Sequence, residues 1–90
     1  MQNQEVNEMT VKESMVLDAI NRNGGYDGIG SPREYRDMLE LDGHVSIYDF
    51  AQIVNALVSK NKITIEVVRN GSLANMRYQS IHPVTSDGND

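Results

Sequence analysis

Three times in this chain a Ser or Thr is followed three residues later by an acid at the head of an apolar-periodic segment: Thr10 with Glu13, Ser31 with Glu34, Ser46 with Asp49. At that spacing the hydroxyl accepts from an amide of the first helical turn, and the carboxylate returns to the amide of the capping residue. Each pair therefore marks a helix start. Pro32, directly after Ser31, suits the first helical position because its missing N–H is a donor that a helix start leaves unpaired anyway. The repeated signal restricts the chain between Thr10 and Lys60 to three helices.

The first helix, Val11 to Asn23, places Val11, Met15, Val16, Ala19 and Ile20 on one face and ends at Gly24-Gly25. The second, Pro32 to Leu41, offers Tyr35, Met38, Leu39 and Leu41 before the turn-forming "DGH". The third carries Ile47, Phe50, Ile53, Val54, Leu57 and Val58, a stripe broad enough for the central helix of a core. Between the first two, "GGYDGIG" is a connector in which Tyr26 to Ile29 forms a brief edge strand.

After the third helix, "KITIEVVRNGSLANMRYQSI" alternates with period two around Asn70-Gly71, a pair that accepts the positive φ angles of a tight hairpin turn. With those residues at the tip, Val67 pairs Ala74, Ile65 pairs Met76 and Ile63 pairs Tyr78 on the inner face. Glu66 then faces Asn75 and Thr64 faces Arg77 on the outer one. Val68 opposite Leu73 is an apolar pair left outside, a partner contact or a surface for a tail.

Ninety residues support one domain with a core near the lower size limit for unaided folding. Residues 1–9 and 83–90 are polar and aperiodic, so the expected division is an acidic tail, a domain over 10–82 and a second tail. The absence of Cys excludes disulfides and thiolate metal sites, and fits a reducing, cytoplasmic compartment. No apolar run is long enough for a membrane helix, and "MQNQEVNEM" has no secretion-signal pattern.

The net charge of -5 argues against a strongly basic nucleic-acid footprint. Four of the acids, however, Glu5, Glu8, Asp87 and Asp90, belong to the tails, which carry no base. Between residues 46 and 79, Lys60, Lys62, Arg69 and Arg77 outnumber Asp49 and Glu66.

The order helix, helix, turn, helix, hairpin resembles a winged helix-turn-helix domain, an α+β fold of three helices with a C-terminal β-hairpin wing. Phe50, Val54, Leu57 and Ile63 in "FAQIVNALVSKNKI" carry the resemblance, which spans Thr10 to Ile81. The family usually has a Gly before the first wing strand; Asn61-Lys62 stands there, and Asn also tolerates the left-handed conformation.

The resemblance implies a small DNA-binding transcriptional regulator. Its third helix would present Ser46, Tyr48, Asp49, Gln52 and Asn55 to double-stranded DNA, with Ser59 behind them. Gln and Asn match an adenine edge with one donor and one acceptor. The wing would contribute Arg69, Asn70, Gly71, Ser72 and Arg77, while Arg33 and Arg36 lie on the helix that crosses the backbone.

With so few bases, a homodimer would be needed to double the contacts. The alternative is an acidic winged-helix module that binds a protein partner, as an adaptor or as an inhibitor of a nucleic-acid-binding protein. Nothing points to an enzyme, since Glu13, Glu34 and Asp49 are accounted for as helix caps. His44 and His82, without Cys, do not form a metal-ligand pattern, and no cofactor is expected.

Overall fold

A computed structural model describes residues 9–69, 71, 72 and 74–84, with only the backbone of Arg69. The elements run α1 (Val11–Asn23), β1 (Tyr26–Gly30), α2 (Pro32–Met38), α3 (Ile47–Ser59), β2 (Ile63–Arg69) and β3 (Arg77–Pro83). The three strands form an antiparallel sheet in the order β1-β3-β2, giving an α+β domain. Most of both expected tails lies outside the described residues. Pro83 belongs to β3, and Val84 N donates to Lys62 O at 3.0 Å.

All three helix starts carry the expected cap. Thr10 Oγ1 accepts from Glu13 N at 3.1 Å, and Glu13 Oε1 accepts from Thr10 N at 3.0 Å. Ser31 and Glu34 exchange the same two bonds at 3.2 and 2.8 Å. In α3 the motif is half made: Ser46 Oγ accepts from Asp49 N at 3.0 Å. Aspartate is one methylene shorter than glutamate, and its carboxylate points elsewhere.

The helix ends depend on left-handed residues. Helix α2 stops at Met38 instead of Leu41 because Glu40, at φ 62°, turns the chain back. Glu40 N then donates to Asp37 O and Leu41 N to Arg36 O, the paired bonds of a Schellman turn. Helix α3 closes in the same way: Asn61, at φ 63°, donates to Val58 O, and Lys62 N donates to Leu57 O. Asn61 thus takes the conformation expected of the missing Gly.

The core gathers Val16, Ala19 and Ile20 of α1, Phe50, Val54 and Leu57 of α3, and Ile63 and Ile81 of the sheet. Leu39, Leu41 and Val45, on the α2–α3 connection, are buried beside them. Two apolar positions depart from expectation. Val11 is 79 % exposed, because the first helical residue faces outward while Glu13 takes the inward position. Val58 is exposed and Ala51 buried, which rotates the core stripe of α3 slightly from the expected one.

Glu13 is held by Lys60 Nζ at 2.7 Å, an ion pair that fastens α1 to the end of α3. The Lys60 hydrogen bond keeps the Glu13 carboxyl below its ordinary pKa against the opposing effect of burial. At the sheet, the Tyr35 ring lies edge-on to Tyr26 and Tyr78, with centroids 5.2 and 5.1 Å away. Tyr35 Oη donates to Gly28 O at 2.7 Å, tying α2 to the irregular part of β1. Burial pushes the Tyr35 and Tyr78 phenols up to about 12.

The hairpin register differs from the one that Asn70-Gly71 predicts. Ile63 pairs Pro83 instead of Tyr78, Ile65 pairs Ile81 instead of Met76, and Val67 pairs Tyr78 instead of Ala74. The connection spans 70–76, with Asn75 N donating to Ser72 O at 2.9 Å. Asn70 and Leu73 lie outside the described residues. The reason is tertiary: β3 is the central strand, so it must set Tyr78 and Ile81 against the helices while also pairing Gly30 and Tyr26 of β1. Irregularities at Glu66/Val67 and Val67/Arg69 absorb the change of phase, and leave Val67 and Val68 exposed.

Candidate nucleic-acid interface

At 100° per residue, positions i, i+4, i+7 and i+11 of a helix fall on one line. On α3 those positions are Tyr48, Gln52, Asn55 and Ser59, and all four are exposed, Tyr48 by 62 %. The line is polar and uncharged. It exists because Phe50, Val54 and Leu57 turn the opposite side of α3 into the core. Ser46, at the head of the helix, is exposed, with its hydroxyl accepting from the Asp49 amide.

Beside the start of α3 lies an open cleft of about 440 Å³ lined by Ser31, Pro32, Arg33, Ile47, Ala74 and Arg77. It brings Arg33 of α2 together with Arg77 of β3. Both are exposed, and Arg77 Nη1 donates to the Met76 carbonyl at 2.9 Å, which ties its guanidinium to the preceding backbone. Two exposed arginines lining one cleft provide donors for an anionic oxygen.

The other expected site residues are placed differently. Arg36 is turned inward, its side chain only 14 % exposed: Nη1 donates to Val45 O at 3.2 Å, and Nε and Nη2 donate to Asp37 Oδ1. It sits on α2 as expected and braces the α2–α3 connection. Ser72 is exposed on the β2–β3 connection, where its hydroxyl accepts from Asn75 Nδ2 at 3.3 Å. The Arg69 backbone pairs Arg77 in the sheet; its side chain, like Asn70, is outside the described part.

The flank of α3 away from Arg33 and Arg77 faces the start of α1. There a cleft of about 510 Å³ is lined by residues 10–13 of the α1 start and by Asp49, Gln52, Ile53 and Ala56 of α3. Lys12 Nζ lies 3.3 Å from Asp49 Oδ2, with the two side chains 53 and 42 % exposed. Lys12 is a neighbour of the exposed α3 face that the sequence did not disclose. Residues 12 and 49 are too far apart in the chain for any local spacing to link them.

His82 Nε2 lies 2.9 Å from Asp27 Oδ1 on the sheet. Among the described residues, no group of three His, Cys, Asp or Glu is placed to hold a metal ion, and no helix is long and apolar enough to cross a membrane. No protein-family model, curated protein or solved structure matches the chain. The functional reading therefore rests on the chemistry of the α3 face and its two flanks.

Proposed function

We propose that the chain is a winged helix-turn-helix domain and a small DNA-binding regulator of transcription, working in the cytoplasm. The order of elements supports the family, with a hairpin entered directly from the third helix through a left-handed Asn61. The observation that carries the function is the exposed line Tyr48, Gln52, Asn55 and Ser59, headed by the Arg33–Arg77 cleft. Gln52 and Asn55 offer the donor and acceptor pairs that match adenine edges. Arg33 and Arg77 meet the phosphates that fix the register of the protein on the duplex.

Phosphate contacts supply most of the non-specific affinity for DNA, and Arg33 and Arg77, even with Arg69 added, make that term small. A homodimer on a two-part site doubles it. The test is fluorescence anisotropy of a labelled random-sequence duplex with the full chain, starting at about 50 mM salt, where phosphate contacts are strong. Binding that weakens as salt rises, and that is lost on combining Arg33→Glu with Arg77→Glu, is the expected result. No binding at the lowest salt refutes the proposal and favours the acidic module that binds a protein partner.

A further inference from the structure

The carboxylate of Asp49 has little structural work to do. The cap at the start of α3 uses its backbone N–H, which accepts no contribution from the side chain and survives any substitution other than Pro. The first turns of α1 and α2 place Glu at the same position, and there the carboxylate returns to the cap. In α3 the shorter Asp leaves its oxygens outside, on the Gln52 side of the helix, beside Lys12. A half-exposed pair of this kind contributes little to folding. An acid near a helix start gains from the dipole, but Glu would gain equally and would also close the box.

We infer that Asp49 is a specificity-determining residue of the α3 face, selecting a cytosine in the major groove. The inference rests on the DNA-binding reading above. A carboxylate only accepts hydrogen bonds. Guanine presents acceptors in the major groove, thymine presents an acceptor and a methyl group, and adenine sets its N7 acceptor beside its one donor. Cytosine N4 alone offers a donor without an adjacent acceptor on the same base. Lys12 places a positive charge against Asp49, which offsets the repulsion between this acid and the flanking phosphates. Gln52, one turn along and lining the same cleft, is positioned for the neighbouring base pair.

The test is binding-site selection from a randomised duplex library by the full chain and by Asp49→Ala and Asp49→Asn. The expected wild-type site contains a C·G pair whose replacement weakens binding by roughly five- to a hundredfold. Asp49→Ala loses the preference at that pair alone, and Asp49→Asn, which keeps the shape of the side chain, exchanges it for adenine. Retention of the same cytosine by both variants overturns the inference. So does a wild-type protein that binds DNA in a salt-dependent way yet selects no cytosine, an outcome that leaves DNA binding itself standing. Failure to retain duplex of any sequence at about 50 mM salt removes the DNA-binding reading and this inference with it.

Discussion

Tyr35 and Tyr78 are both buried, stack edge to face at 5.1 Å, and differ in what their hydroxyls meet. Tyr35 Oη donates to the Gly28 carbonyl at 2.7 Å, whereas Tyr78 Oη is buried without a partner among the described residues. Phenylalanine preserves the ring packing at either position, so each substitution isolates one hydroxyl. Tyr35→Phe removes a hydrogen bond and strands a carbonyl in the irregular stretch of β1, a loss of about 1 to 2 kcal/mol. Tyr78→Phe removes a group that folding desolvates without compensation, so stability should hold or rise by up to about 1 kcal/mol. For a domain of this size each kcal/mol is roughly 4 to 8 °C in Tm. Urea and thermal unfolding of both variants by circular dichroism measure the contrast. A Tyr78→Phe protein less stable than Tyr35→Phe would refute this account of the aromatic cluster.

Glu40→Gly relieves a left-handed side chain that costs about 1 kcal/mol, less the greater freedom of Gly in the unfolded chain, and should raise stability by about 0.5 kcal/mol in urea unfolding. Because Lys60 depresses the Glu13 pKa, that carboxylate contributes stability above its unfolded value near 4.5, and the contribution disappears as pH falls through the lower folded value. Glu13→Gln should therefore flatten the acid limb of a stability-versus-pH curve. Arg36→Ala should cost about 1 to 2 kcal/mol by freeing the Val45 carbonyl and the connection, and on the DNA-binding reading it should leave the affinity of the folded protein for duplex unchanged. Arg33→Ala should do the reverse in the anisotropy assay.

Local chemistry was legible in the sequence, and partners across the fold were not. Thr10, Ser31 and Ser46 announced the helix starts because a cap is decided within four residues, and Asn61 announced its left-handed turn for the same reason. Tyr48, Gln52 and Asn55 emerged on one exposed line because apolar periodicity fixes the opposite side of α3. The hairpin failed where a local signal met a tertiary demand. Asn70-Gly71 favours a two-residue turn, but β3 is shared by β1 and β2, and the burial of Tyr78 and Ile81 set the register instead. Arg36 looked like a surface base until the α2–α3 connection folded its Val45 carbonyl over it. Lys12 against Asp49 and Lys60 against Glu13 join distant parts of the chain, and no spacing rule reaches that far.

Those ion pairs bear on what kind of DNA binder an acidic chain can be. Of the eight bases, Lys12, Arg36 and Lys60 are engaged by Asp49, Asp37 and Glu13, while Arg33 and Arg77 converge on one cleft. On the DNA-binding reading, Arg33 and Arg77, with Arg69 and with Lys12 where it bridges to a phosphate, neutralise about two to four charges per chain. Log affinity should then fall with log salt at a slope of only about -2 to -4 for each chain. A shallow slope means little affinity for arbitrary sequence, and the Lys12–Asp49 pair adds no net charge to it. Discrimination must accordingly come from hydrogen bonds to base edges, which salt barely screens. The acid on the reading helix is then no contradiction: it sacrifices affinity that every sequence would share and keeps affinity that one base can supply.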